Sequence, residues 1–400
     1  MSTSRRLLCV APYRVYPPVT GANLLVDGVN RALAGKGWKV NLFSTGIRRH
    51  DLLGSLCSTT RVAPGYTVYN HATPFSVLRN WGSRQSTGVP PLGIEGVFRS
   101  LRSRRLREWL ESCDLIQVEH PFGCSAIAAR KRPETPLVMV AHNVEATLAE
   151  STLAHLPEVV KKIDHQEREA LSRADAVIVL TEADREEMMR RYGVGADRIH
   201  VIPVGVDLER FYPASNATRA TAKARLGLSG KTVAVFAGAR FGPNLEAAAE
   251  IERMAAETAL PEDLVFLIIG RIGEVMTPGP RITVTGFVDD VIPYLHAGDL
   301  AFNPMRSGGG MHLKMLEFLS LGLPVVSTGV GLRGLGDALP EGVLETDLAH
   351  MPESLATLVT DPDRHAAWGA ANRDWVAARY GWSRIAEQRA EVYRSLMNKG

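Results

Sequence analysis

An α/β protein made of two doubly wound parallel sheets is what this sequence predicts, and three observations predict it. Short apolar runs alternate with helical stretches along the chain, the pattern of strands joined by crossover helices. Most of those runs are continuously apolar rather than alternating, as strands covered on both faces must be. At 400 residues the chain is long enough for two cores. The stretch PVGVDLERFYP (203–213), followed by polar ASNATRATAK, breaks the pattern near its middle and is the best boundary. Two Rossmann-like domains, 1–205 and 206–380, are therefore expected to face a cleft, with ligands at the carboxyl ends of the strands.

The elements follow in order. The run 7–11 is read as a first strand, since MSTSRRLLCVAPY is too short in its apolar part for a secretory signal and lacks a cleavage site. A loop containing Gly21 and Ala22 leads into the first long helix, and 40–44 is the next strand. Residues 50–110 are the least legible. Their prolines and glycines argue for loops before an Arg-rich helix at 95–111. Strands at 115–119, 137–141, 176–180 and 200–203 complete the first set. Thr181, ahead of Glu182-Ala183-Asp184, reads as a helix cap. The second set is 232–237, 264–270, 282–285, 300–304 and 324–327. At the end of the chain, Trp382, Ile385, Ala386, Ala390, Tyr393 and Leu396 recur at helical spacing.

Composition narrows the function. A net charge of +3 is too small to imply a nucleic-acid partner, and no apolar run approaches a membrane span. Cys9, Cys57, Cys113 and Cys124 form no C-x-x-C pair, so neither a zinc site nor a disulfide framework is indicated, and a reducing cytoplasm fits. The arginines at 99, 102, 104, 105 and 107 have two readings: a solvated helix face, or a peripheral contact with anionic lipid headgroups or an acidic acceptor. Trp81, Phe98 and Trp109 read as core or loop anchors.

The most informative string is AFNPMRSGGGMHLKMLEFLSLGLPVVST, residues 301–328. It reads as strand, glycine turn, helix at 311–321, and a second buried strand. Ser307, Gly308, Gly309 and Gly310 let the backbone approach a ligand without Cβ clashes. The helix start after them offers unpaired N–H groups and a positive dipole end, which suits a phosphate. Gly322 stops the helix. Lys314 and Glu317 share a helix face three residues apart. The cation would hold a diphosphate, and the carboxylate would accept bonds from two ribose hydroxyls.

Residues 308–317, GGGMHLKMLE, closely follow a G-S-G-x-R-L-K-x-L-E pattern. The string thereby resembles the C-terminal nucleotide-sugar motif of retaining GT-B glycosyltransferases of family 4, the glycosyl transferases group 1. His312 stands where that pattern often has Arg, and Gly309 stands where the commoner form has a first glutamate. The resemblance implies the GT-B fold and a hexosyltransferase. A sugar would move from a nucleotide diphosphate donor, UDP favoured over GDP, to an acceptor hydroxyl with retention, without metal or cofactor. The acceptor would be a small molecule, a polysaccharide or a lipid-linked sugar. By the same resemblance the C-terminal helix 381–400 would pack back on the first domain, which would be the acceptor side.

Residue roles are carried over on the same terms. Lys314 and His142 form the catalytic pair, with Lys314 on the diphosphate and His142 beside the transferred sugar rather than a nucleophile. The donor contacts are Gly21, Ala22, Ser307, Gly308, Gly309, Gly310, Met311 and Glu317, with Arg271, Phe287 and Val288 near the nucleobase. Ala239 occupies the family's arginine position and Pro243-Asn244 the region of its lysine, so that contact is either kept by Arg240, one place later, or lost, which leaves Lys314 the main cation with Arg306 as its helper. Glu119, His120 and Glu145 would line the acceptor side. The residues alone leave other readings open: a lone histidine such as His142 is more often structural, and Gly21-Ala22 also fits a plain helix start. Asp361-Pro362-Asp363 spells a metal-diphosphate D-x-D, but it reads as a turn before a late helix. No Walker A motif or G-x-S-x-G elbow is present. A nucleotide-sugar epimerase of the same fold and a non-catalytic nucleotide-sugar-binding protein are the alternatives.

Overall fold

The computed structural model describes residues 5–18, 20–46, 57–72, 102–240, 242–256, 260–308, 310–336, 338–360 and 362–398. The chain divides into two units: Met1–Gly205 together with Trp382–Gly400, and Val206–Gly381.

The first unit runs β1 (Arg6–Ala11), α1 (Gly21–Gly35), β2 (Lys39–Thr45), β3 (Cys57–Ala63), β4 (Tyr66–His71), α2 (Arg104–Ser112), β5 (Leu115–Glu119), α3 (Cys124–Ala128), β6 (Leu137–Ala141), α4 (Glu145–Thr152), α5 (Pro157–Arg173), β7 (Ala176–Val179), α6 (Glu182–Tyr192) and β8 (Ile199–Val201). Its sheet has the order β3-β4-β2-β1-β5-β6-β7-β8. Only the β3/β4 pair is antiparallel. The chain works outward from β1 and then restarts at β5 on its other side, so the topological switch lies between β1 and β5. Ligands of open parallel sheets sit at the carboxyl ends there. Every residue of β5 and β6 is buried; β6 is apolar throughout, whereas β5 buries Gln117 and Glu119 among its apolar residues.

The second unit runs α7 (Asn216–Arg225), β9 (Thr232–Ala237), α8 (Gly242–Ala255), β10 (Leu264–Ile269), β11 (Ile282–Val284), α9 (Ile292–Leu295), β12 (Leu300–Asn303), α10 (Leu313–Ser320), β13 (Val325–Ser327), β14 (Val343–Glu345), α11 (Met351–Val359) and α12 (Pro362–Tyr380). The sheet order is β11-β10-β9-β12-β13-β14, parallel throughout, with its switch between β9 and β12. Val233 and Val235 of β9 pack with Leu316 and Phe318 of α10. Ala234 and Phe236, pointing the other way, pack with Ile251 of α8 and Phe302 of β12. Both faces of the sheet are thus covered.

The last helix, α13 (Trp382–Met397), belongs to the first unit and packs on α1. The Trp382 ring covers Gly28 of α1 and Gly205, and a Cβ at either glycine would overlap it. Tyr393 Oη donates to Gln117 Oε1 on β5.

Three local features differ from the sequence reading. The hairpin β3/β4 was not anticipated. Polar CSTTRVA carries no apolar signature, and the turn depends on Gly65 at φ +78°. Within the expected Arg-rich helix, residues 102 and 103 are not helical and a helix begins at Arg104, where the Ser103 side chain accepts the Leu106 N–H and caps it. Residues 95–101, Arg99, Phe98 and Trp81 lie outside the described residues. Within α2, Arg104 pairs with Glu108 at 2.8 Å, and Arg105 lies over the Trp109 ring, which is itself in the core. Finally, α10 begins at Leu313, two residues later than 311, because His312 is the extended N-cap residue (φ −83°, ψ 97°). Among the described residues no helix is long and apolar enough to cross a membrane.

Candidate active site

At the carboxyl ends of β9 and β12 in the second unit, three short segments converge. After β9, Gly238 and Gly270 approach so closely that a Cβ on Gly270 would meet the Gly238 carbonyl at 2.7 Å. After β12 comes the glycine turn, with Gly308 at φ +139° and Gly310 at φ +63°, then α10. The Gly308 carbonyl accepts from Arg333 Nη1 at 2.7 Å. Gly309 lies outside the described residues. Gly322 (φ +67°) ends α10, with the Leu323 N–H bonded to Phe318 O at 3.1 Å, a Schellman-type close.

Lys314, in the first turn of α10, is the centre of this arrangement. Its Nζ donates to Asn244 Oδ1 at 3.0 Å, lies 3.9 Å from the Phe236 ring centroid and touches Met305 Sδ at 4.0 Å. Among the described residues no carboxylate lies within ion-pair distance of it. Burial in these surroundings pulls its pKa down to about 7. Glu317, one turn on, is pushed up to about 7 by burial, against the pull of Arg210 and Lys314. His312 falls to about 4, through burial first and then the charges of Lys314 and Arg333, and its Nε2 is buried without a hydrogen-bond partner among the described residues. Three ionisable groups on one short helix are therefore all displaced toward their neutral forms. An anion beside Lys314 and hydroxyl donors at Glu317 would reverse that displacement.

The other donor-side residues divide. Met311 packs against the core beneath α10. Ser307 Oγ donates to Glu246 Oε2 at 2.7 Å, and Arg306 is drawn to Glu250 at 2.8 Å rather than standing beside Lys314. Arg240 is exposed, with no ion pair among the described residues. Arg271 stacks over the exposed Phe287 ring at 4.7 Å, and Phe287 and Val288 line an open cleft with Tyr294. In the first unit, Gly21 and Ala22 open α1, capped by a Thr20–Asn23 capping box. Their N–H groups belong to the first helical turn, which has no intrahelical acceptor.

The first unit holds a second cluster where β5 and β6 end. His142 Nε2 bonds Glu119 Oε2 at 2.8 Å. His120 Nδ1 bonds Glu145 Oε1 at 2.7 Å, and the two imidazoles lie 4.1 Å apart. His120 is in the left-handed region at φ +62°, a conformation that side chains rarely adopt away from functional sites. Burial would lower its pKa, but Glu145 overrides this and raises it. Burial and the neighbouring His120 charge lower that of His142. Burial alone would raise Glu119, yet the His142 bond and the Arg389 charge hold it low. The consistent assignment is an ionised Glu119 accepting from a neutral His142 protonated on Nε2. The Nδ1 lone pair then remains as a hydrogen-bond acceptor for a ligand hydroxyl. Glu167 caps α4 by accepting from the Glu145 and Ala146 N–H groups at 2.9 and 3.0 Å, and burial lifts it to about 7.

The fold thus brings Lys314 and Glu317 together in one unit, and Glu119, His120, His142 and Glu145 in the other. Sequence reasoning did not assign roles to Asn244, Glu167 or Arg389. The V-E-H ending of β5 was a signal for Glu119, because a carboxylate closing a buried strand needs a partner. Glu167 and Arg389 gave no local sign. Among the described residues no group of three or more His, Cys, Asp or Glu is arranged to hold a metal. Asp361 lies outside them, and α12 starts directly after it.

Comparison with known proteins gives the following. A family model described as Glycosyltransferase Family 4 matches residues 19–210, and one described as Glycosyl transferases group 1 matches 231–361. A D-inositol 3-phosphate glycosyltransferase of Xylanimonas cellulosilytica is 27% identical over 93% of this chain and 91% of its own. Its namesake from Kineococcus radiotolerans is 30% identical over 66% of this chain and 67% of its own. Among solved structures, sucrose-phosphate synthase from Thermosynechococcus elongatus matches with a TM-score of 0.75 at 18% identity, covering 99% of this chain and 100% of that one. Anabaena Alr3699/HepE in complex with UDP-glucose matches with a TM-score of 0.69 at 16% identity, covering 98% and 99%.

Proposed function

Since the chain belongs to the family 4 glycosyltransferases and has their GT-B fold, we propose that it transfers a hexosyl group from a UDP-sugar to an acceptor hydroxyl, with retention of configuration and without a metal. One observation carries the donor assignment. The Lys314 ammonium and the Glu317 carboxylate are desolvated without ionic partners among the described residues, at the β9/β12 switch. Lys314 and the start of α10 neutralise the diphosphate, and Glu317 accepts from the ribose hydroxyls. As the sugar–phosphate bond breaks, charge grows on the diphosphate, and a fixed ammonium in a dry setting stabilises it most at that point.

In the first unit, we assign His142 to a hydroxyl of the transferred sugar through Nδ1. The departing diphosphate oxygen takes the acceptor proton, so no protein nucleophile is required. The relatives named as D-inositol 3-phosphate glycosyltransferases support a small polyol or sugar acceptor.

A calorimetric panel of UDP, GDP and ADP in excess chelator tests this reading, followed by slow hydrolysis of the matching sugar donors. UDP binding and sugar release in chelator are the expected result. Epimerised donor would instead assign an epimerase, and binding without turnover a non-catalytic protein. Activity that vanishes with chelator and returns with Mg²⁺ would overturn the metal-free mechanism.

A further inference from the structure

We propose that Asn244 is the positioning residue that aims the Lys314 ammonium, and that its being a neutral amide rather than a carboxylate is what leaves that ammonium open to a diphosphate. The inference rests on the donor site described above and names what sets it. Asn244 lies in the first turn of α8, at the end of the β9 loop. Its amide orientation is fixed at both ends. Nδ2 donates to the Ala239 carbonyl at 2.9 Å, and Oδ1 accepts from Lys314 Nζ at 3.0 Å. The space for the amide is left by Gly238, where a Cβ would come within 3.1 Å of Asn244 Cγ. A chain from the Ala239 carbonyl through Asn244 to Lys314 therefore links the β9 loop to α10.

The contacts of Nζ are an amide oxygen, an aromatic face and a thioether. Each holds an ammonium in place, and none neutralises it. Side-chain choice sharpens the point. The first turn of a helix favours a carboxylate, because unpaired N–H groups and the dipole attract negative charge. Aspartate has the shape of asparagine and suits a first turn in general, but here it would set an acceptor oxygen against the Ala239 carbonyl in place of the Nδ2 donor. It would also form an ion pair with Lys314 and compete with the anion that Lys314 is there to bind. Asparagine supplies both the donor that the Ala239 carbonyl takes and an uncharged acceptor that holds Nζ without neutralising it. The titratable groups that act directly with Lys314 are Glu317 on its own helix and His312 at the helix start; Arg210 acts on Glu317 and Arg333 on His312. Neither arginine can replace Asn244 as a tether, since a guanidinium offers no acceptor to an ammonium.

The test compares Asn244→Asp and Asn244→Ala with the wild type in full-length protein, using UDP and uridine as calorimetric probes and thermal melting as the control. Asn244→Asp is expected to lose about tenfold or more in UDP affinity with uridine affinity unchanged, and its melting temperature reads separately what loss of the donor to the Ala239 carbonyl costs. It should also move the pH above which UDP affinity falls upward, since a carboxylate keeps Lys314 protonated to higher pH. A purely structural amide would not move that pH. Asn244→Ala, which frees the ammonium without neutralising it, should lose less than Asn244→Asp. If both variants bind UDP as the wild type does, with an unchanged pH profile, the positioning role is wrong. If wild-type protein binds none of UDP, GDP and ADP, the donor-site reading fails and this inference with it.

Discussion

Glu317 sets a carboxylate where the empty protein disfavours its charge. Its folded pKa of about 7 lies above the 4.5 of an unperturbed glutamate. The stability it contributes is present below pH 4.5 and is lost as pH rises through about 7, because the folded state must then carry a buried anion. Glutamine keeps the shape without that cost. Glu317→Gln should therefore stabilise the ligand-free protein at pH 8 by up to about 3 kcal/mol, read as a raised melting temperature, with no gain at pH 4. It should at the same time weaken UDP binding by about 1.5–3 kcal/mol. Melting curves and calorimetry at the two pH values check the opposite signs, and a joint fall in stability and affinity would make Glu317 a structural residue. Glu119 behaves otherwise, since it is already ionised and engaged. Glu119→Gln keeps a hydrogen-bond partner for His142 but removes the charge that fixes its tautomer. Donor hydrolysis should slow about tenfold while UDP affinity holds. Of this chemistry, Lys314, Glu317 and His142 were legible in the sequence because they sit on glycine-turn or strand-end patterns. Asn244 and Arg389 were not, because their meaning comes from contacts 70 residues away in one case and a helix far down the chain in the other.

Elements were legible to the degree that they were buried on both sides. The mainly apolar runs at β1, β2, β5, β6, β9 and β10 could be placed to within a residue or so at either end. The edge hairpin β3/β4 could not be placed, since its outer strand is polar and only part-buried. The pair α1/α13 shows a contact that no periodicity reveals. Gly28 sits inside α1, where alanine would gain about 1 kcal/mol in helix propensity. A methyl there would drive into the Trp382 ring, and overpacking of this kind costs about 1–3 kcal/mol. Gly28→Ala should thus be net destabilising, read as a lower denaturant midpoint. A raised midpoint would mean that the ring moves aside freely and that α13 is loosely seated.

At the scale of the molecule, the alternation of strand and helix identified the architecture, but not the path by which the first unit is completed. That unit is discontinuous: Met1–Gly205 is closed by Trp382–Gly400, while Val206–Gly381 is one uninterrupted stretch. The order of synthesis is therefore not the order of completion. As the chain leaves the ribosome, α1 emerges with the surface around Gly28 bare, and Gln117 and Glu119 lack Tyr393 and Arg389. They wait while the intervening unit is translated, roughly 10–35 s at elongation rates of about 5–20 residues per second. During that interval the nascent first unit shows an apolar groove and uncompensated buried charge, the kind of surface that chaperones hold and neighbouring nascent chains aggregate through. The unit that carries His142 is begun before its partner and finished after it.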